Sequence, residues 1–470
     1  MTTSSTSEPL PTELLALLEA ASIHSSNTIS DLDAVNTLSY LARTESLPRL
    51  NGLVLCVWNE ASSIIEDQKY SILWRLYGSR LAQDESRAPE LAKELARISN
   101  FATRSVRPTT LNDLLRCLVK PISIPSIFAN DVEKVNDQKL KRQMLDFRQS
   151  LHDRSRLLAS VMKCHVDSGE TAKDGITYDL TINCASILGD DRERWASSDT
   201  QSEAQTLLAS LVSILPRPIN SIQQLVTKHL LRILNEEIRP HFQHPRAAYA
   251  QHRERKESTK ELNFQDQAWK MDRLDCVEIL TWSLLQVKHP NFGPIQHLIF
   301  PPLLTLLDDW EPEYKQRGVQ ILRHVVVENS APADVRRTGL GELFFECLSR
   351  TLTYQSHPPL VRLTLETIIP LISVIEIKET EAWYGKLEQL LEDGILRALV
   401  LAVGGKVEVL RIYLKGVGEV MGLLGVVGVK YLKPTLGSAC EVLEMHQGDV
   451  ETQVVAAEMV HSIIKVCWPR

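Results

Sequence analysis

The chain has 470 residues, 44% of them apolar and 24% charged, which is enough to bury a sizeable core and too apolar to stay unfolded. Its 52 Lys and Arg stand against 59 Asp and Glu, a formal net charge of −7, so no global basic field is available to hold nucleic acid. Eight scattered cysteines (Cys56, Cys117, Cys164, Cys184, Cys276, Cys347, Cys440 and Cys467) form no CxxC pair, and no Asn-x-Ser/Thr sequon occurs; both features predict reduced thiols in an intracellular protein.

Residues 1–11, within MTTSSTSEPLPTE, have no basic start and no apolar run, which predicts a disordered lead-in rather than a signal peptide. From Thr12, a helix cap, to residue 238 the pattern predicts an N-terminal helical region. Leu91, Leu95 and Ile98 form one apolar stripe in it. A charge-laced helix follows, with Val135, Leu140, Leu145, Leu151 and Leu158 as its inner face. Gly175 to Ile182, GITYDLTI, is the one strand-like alternation, too isolated to found a sheet. Asp167 to Asp174 and Gly189 to Ser202 are polar and read as linkers. Ser197 and Ser198 in the second of these sit among acids, as an acidophilic kinase would require.

Residues 239–262 read as a basic linker or loop. Between Arg239 and Lys260 six Lys or Arg stand against two Glu, a solvated segment or an electrostatic docking patch. His241, His244 and His252 lie there at a spacing that suits no metal site.

Residues 263–470 repeat a plan of apolar helix, turn and second amphipathic helix. The second helices carry Val319, Leu322 and Val326, then Leu365, Ile368, Ile372 and Ile375, and in the last copy Val455, Met459 and Ile463. They start near Lys315, Val361, Val407 and Glu451, a period of about 40–47 residues typical of HEAT and armadillo arrays. One hairpin cannot hide its apolar face alone, but stacking it on a neighbour does, so the expected fold is all-α: a curved α-solenoid of HEAT-like hairpins with a less regular N-terminal half. The apolar run Val420 to Val429 is about half the length a membrane span requires, so a soluble protein is expected.

Three stretches resemble chemistry and have blander readings. Asp308, Asp309 and His324 do not have the spacing of a catalytic dyad, because adjacent helical residues point about 100° apart; a hairpin turn with the acids facing water and a satisfied structural histidine is expected. Gly416, Gly418 and Gly422 give GxGxxxG with no preceding strand, so Gly418, Gly422 and Gly425 are expected to form a small-residue packing face. No motif in residues 1–240 assembles a nucleophile, base and orienter. Neither an enzyme nor a cofactor is therefore expected, and no catalytic or metal-binding residue is assigned.

The segment from Trp269 onward resembles the Tel-two-interacting protein two (Tti-two) family. The resemblance rests on Trp282, then Pro302, Leu303 and Leu304 running into Asp308 and Asp309, with Lys315 and Gly318 following. It implies a scaffold subunit of the Triple-T (TTT) cochaperone assembly, joined to the Tel-two protein and Tel-two-interacting protein one. It further implies indirect work with the Hsp90 machinery in maturing phosphatidylinositol-3-kinase-like kinases, in cytoplasm and nucleus, with no direct contact to nucleic acid or membrane. Another HEAT scaffold, a transport receptor or phosphatase regulatory subunit, is the alternative. Trp282, Pro302, Asp308, Asp309, Lys315 and Gly318 are expected to be structural, and Tyr413, Lys415, Tyr431 and Lys433 to meet a partner.

Overall fold

The computed structural model describes residues 115, 119, 121–129, 137–166, 171–242, 268–271, 273–402 and 406–467. The expected lead-in, the stripe at Leu91, Leu95 and Ile98, and most of the basic segment, with His244 and His252, lie outside the described residues. Among the described residues every regular element is helical. The chain divides into two compact units, one of Met1–His229 with Lys260–Trp282 and one of Leu230–Thr259 with Ser283–Arg470.

In the first unit α1 (Gln138–His165) and α2 (Asp174–Leu188) both pack on α3 (Ser198–Ile214). Asp137 caps α1 by accepting from the Lys139 N–H at 2.8 Å, and Ser197 caps α3 through the Thr200 N–H. The inner face of α1 runs through Met144, Leu151, Leu158 and Met162. Leu145, expected on that face, is instead 61% exposed; the buried row passes one residue away from it. GITYDLTI is no strand but most of α2, whose residues are buried nearly all round. Its polar members hide by bonding locally, the Thr177 hydroxyl to the Asp174 carbonyl and the Thr181 hydroxyl to the Thr177 carbonyl.

The short α4 (Ile222–Arg232) passes into a π-helical turn, Ile233–Ile238, and a last helical turn at Arg239–Phe242, where a linker was expected. α5 (Cys276–Leu285) follows, after one helical turn at Ala268–Met271.

The second unit is the repeating one. Its hairpins pair α6 (Gln296–Asp308) with α7 (Pro312–Leu322), and, after the short α8 (Pro332–Thr338), α9 (Leu340–Thr351) with α10 (Pro358–Ile375). Then α11 (Glu381–Gln389), prolonged by π-helical Leu390–Leu396, pairs with α12 (Val407–Leu424), and α13 (Leu432–Met445) with α14 (Val450–Cys467). The second helices start 46, 49 and 43 residues apart, and each packs on the next, α7 on α10, α10 on α12, α12 on α14. This is a HEAT-like α-solenoid layout, in which each hairpin buries its neighbour's apolar face.

A charge ladder runs along that row. Arg323 reaches Glu366 at 2.9 Å, Arg362 reaches Glu408 at 3.2 Å, and Arg411 grips Asp449 at 2.7 Å and also binds Glu451. The Arg323–Glu366 and Arg362–Glu408 pairs are solvated and worth little alone, whereas Arg411–Asp449 is part-buried, so the first two set register between layers more than they add stability. Pro358–Ile375 and Val407–Met445 are long and apolar enough to cross a membrane, but 56% and 50% of their most apolar stretches are buried in the stack, as in core helices.

Asp449 caps α14, and the Thr452 hydroxyl (2.6 Å) and the Arg411 guanidinium hold its pKa down at about 2. A carboxylate with a depressed folded pKa contributes stability above its unfolded value near 4, lost as pH falls through about 2. Asp449→Asn is therefore expected to lower the melting temperature at pH 7. The gap to the parent should shrink between pH 4 and pH 2; a gap independent of pH would contradict this.

Candidate functional site

The Asp308–Gly318 turn joins α6 to α7. α6 ends at Asp308, and Pro312 opens α7 at its first turn, where a missing N–H costs nothing. Within α6, Pro301 and Pro302 withdraw two backbone donors; Pro302 is buried and Pro301 faces out. Asp308 is exposed, as expected, but Asp309 is not: it is 5% exposed, and its Oδ1 accepts the Glu311 N–H at 2.8 Å. The expectation of two acids facing water is corrected on this point, since Asp309 folds inward to close the turn.

Lys315, one helical turn into α7, is also 5% exposed, and its ammonium donates to the Leu307 carbonyl. That carbonyl is among the last four of α6, which have no partner within the helix, so a cation there both bonds it and meets the negative end of the helix. Burial pushes the Lys315 pKa down, and the nearby Asp308, Cys347 and Asp309 pull it back. At Gly318 a Cβ would stand 3.0 Å from the Leu307 backbone nitrogen, so glycine lets α7 cross α6 closely. Asp309, Lys315 and Gly318 thus form one hairpin closure. Trp282 lies elsewhere, half-buried against the core of the first unit.

The turn and the layer above it enclose a pocket of about 340 Å³, bounded by Leu307, Asp308, Lys315, Cys347, Arg350, Thr353 and Tyr354. Burial raises the Cys347 pKa, which disfavours a thiolate there.

His324 makes no catalytic pair with Asp308 or Asp309. Its Nε2–H donates to the Val287 carbonyl at 2.7 Å, the Asn329 amide stands 3.4 Å from Nδ1, and Phe292 meets the ring edge-on. The glycine-rich stretch packs differently from expectation. Gly416 meets Leu365 and Gly418 meets the α14 backbone at Met459, but a Cβ on Gly422 would touch nothing. Gly425, at φ +58°, terminates α12.

Of the four residues expected to meet a partner, Lys415 and Lys433 are exposed. Tyr413 is interior, its hydroxyl donating to the Leu352 carbonyl and its pKa pushed up to about 12 by burial. Tyr431 is buried as well. Both rings serve the core of this chain, which corrects their assignment to a surface. On the last hairpin, Met445, Val450, Val454 and Ile464 are exposed.

The segment Gly189–Ser202, expected to be a linker, is instead tightly held. Trp195 is fully buried, with its ring N–H on the Ser186 carbonyl. The buried Asp190 carboxylate accepts the Trp195 and Ala196 N–H groups at 2.7 and 3.0 Å. Arg194 pairs with Asp190 and with the buried Glu278 of α5, and α1 adds Arg148, donating to the Glu193 and Arg194 carbonyls. Ser197 is occupied as the α3 cap, while Ser198 is exposed. The one sequence signal for this knot was a tryptophan inside a polar run. Among the described residues no three metal-ligating side chains gather.

A family model described as the Tti2 family matches residues 181–447, more than half of the chain, from α2 through α13. TELO2-interacting protein 2 of Homo sapiens is 24% identical over 197 residues, and its Mus musculus counterpart 25% over the same length. Each match takes in 41% of this chain and 38% of the relative, so the chain covers well under half the length of these curated relatives. A crystal structure of the karyopherin Kap121p, bound to the extreme C-terminus of the protein phosphatase Cdc14p, gives a TM-score of 0.44 at 13% identity, over 99% of this chain and 43% of that one. Kap121p bound to the SUMO protease Ulp1p gives 0.42, also at 13% identity, over 99% and 42%.

Proposed function

The chain belongs to the Tti2 family, and from that membership we propose that it is a non-catalytic scaffold subunit of the Triple-T assembly. The reading is carried by the match over residues 181–447, which takes in the Gly189–Ser202 knot, the Asp309–Lys315–Gly318 closure and most of the repeating hairpins. In this reading the chain binds a TELO2-type protein and Tel-two-interacting protein one. Through them it serves Hsp90-linked maturation of phosphatidylinositol-3-kinase-like kinases, in cytoplasm and nucleus.

The physical features that support this are those of a surface rather than a reaction centre. A row of stacked helices presents a long face to another helical array, and obligate partners commonly bury more than about 2,000 Å². The α13–α14 hairpin leaves large apolar side chains in solvent at Met445, Val450, Val454 and Ile464, the kind of exposed apolar surface that protein partners cover. Two buried polar side chains of the array, Lys315 and Tyr413, each donate a hydrogen bond to a backbone carbonyl, Lys315 to Leu307 within its own hairpin and Tyr413 to Leu352 of the preceding one.

The test is co-elution. The full chain, expressed with TELO2 and Tel-two-interacting protein one from the same source, is expected to run with them as one species of fixed stoichiometry in size exclusion. Elution of this chain alone, at concentrations where the other two associate, would overturn the proposal.

A further inference from the structure

The Lys315 ammonium has three N–H donors, of which the Leu307 carbonyl takes one. The Tyr354 ring offers its face at 5.0 Å from Nζ. Among the described residues no further hydrogen-bond acceptor meets it, although Lys315 is only 5% exposed. A buried cation with unused donors is costly, and what remains beside it is the pocket of about 340 Å³.

The walls of that pocket narrow the chemistry of what would fill it. Arg350 stands at its edge, 71% exposed, with a single long contact of 3.4 Å to Glu346, so most of its guanidinium fork is available. Thr353 and Tyr354 complete the wall, the Thr353 hydroxyl already donating to the Arg350 carbonyl at 2.8 Å. Asp308 adds an exposed carboxylate, which repels a bare anion and accepts an N–H. A group that satisfies all of these carries a carboxylate and, within a few ångströms, an N–H donor. An Asp or Glu residue within a peptide has both, one on its side chain and one on its backbone.

We propose that the pocket over the α6–α7 turn is a docking site for an acidic peptide segment, whose side-chain carboxylate is taken by Lys315 and Arg350 and whose backbone N–H is taken by Asp308. The site goes beyond the scaffold reading by giving that scaffold a point of side-chain recognition, and it is tested on the isolated full chain. Its failure and a failure to co-elute with TELO2 are therefore separate results.

The probes are two blocked pentapeptides, acetyl-Ala-Ala-Glu-Ala-Ala-amide and its Gln counterpart, with inorganic phosphate as the third, each titrated calorimetrically at 50 mM salt. The Glu peptide is expected to bind saturably and at least tenfold more tightly than the Gln peptide. Arg350→Ala, whose exposed side chain leaves the fold intact by melting, should weaken the Glu peptide at least tenfold, while Arg397→Ala on a distant exposed face should not. Asp308→Ala should weaken the peptide and admit phosphate. Equal binding of the Glu and Gln peptides, an unchanged affinity in Arg350→Ala, absence of binding, or phosphate binding the parent chain in preference to the peptide would each overturn the proposal.

Discussion

Arg194→Ala is expected to destabilise the first unit by about 3–5 kcal/mol, the range for removing one partner of a buried ion pair. The Glu278 side chain that Arg194 meets is 0% exposed, and Arg194 itself only 12%. The guanidinium also pairs with Asp190 at 3.5 Å and lies 4.3 Å from the Trp195 ring centroid, so its loss affects three buried groups at once. Coulombic attraction is not the main quantity. Desolvating Glu278 is already costly, and the guanidinium is what offsets that cost. A paired replacement, Arg194→Met with Glu278→Leu, is expected to recover most of the loss, because two apolar side chains of similar volume need no partner. Urea denaturation followed by tryptophan fluorescence measures both. A single-variant loss below about 1 kcal/mol would show the pair to be solvated and marginal.

Gly189→Ala is expected to cost about 3 kcal/mol, at the upper end of overpacking effects. A Cβ at Gly189 would stand 2.5 Å from the Glu278 carbonyl oxygen and 2.8 Å from its carbon, and backbone cannot rotate aside as a side chain can. Gly385, inside α11, is the control. Nothing lies within 4 Å of its Cβ position, so Gly385→Ala should stabilise by about 0.5–1 kcal/mol through helix propensity alone. The same urea titration should move the two midpoints in opposite directions; a neutral Gly189→Ala would mean that α2 and α5 can slide apart. Gly189 and Arg194 both act against Glu278, so their losses are not expected to add.

How far the fold was legible depended on the range of the interactions involved. The second helices were readable because Val319, Leu322, Val326, Leu365, Ile368, Ile372, Val455, Met459 and Ile463 recur at helical spacing and are buried, while Ile375 at the end of its stripe is half-buried. α2 was unreadable by the same logic. A helix buried nearly all round has no polar face to set a period, and its threonines hide by bonding one turn back. The charge ladder went unnoticed because each Arg meets an acid about 40–46 residues away, and no local pattern marks such a pair.

The hairpin closure was half legible. Asp308, Asp309, Lys315 and Gly318 stood out as a set, but only the folded turn shows that Asp309 is buried on the Glu311 N–H and that Lys315 reaches back to α6. Tyr413 and Tyr431 went wrong for the same reason: an aromatic beside a lysine reads as surface until a neighbouring layer covers it.

Helical class, hairpin period and the choice of one family were determined by the sequence itself, because periodicity, proline placement and short motifs act over a few residues. The interior polar groups, Asp190, Glu278, Asp309, Lys315 and the Tyr413 hydroxyl, were decided only in the tertiary structure. A polar atom can leave water only where a complementary group waits, and for Glu278 and Tyr413 that group lies 84 and 61 residues away along the chain.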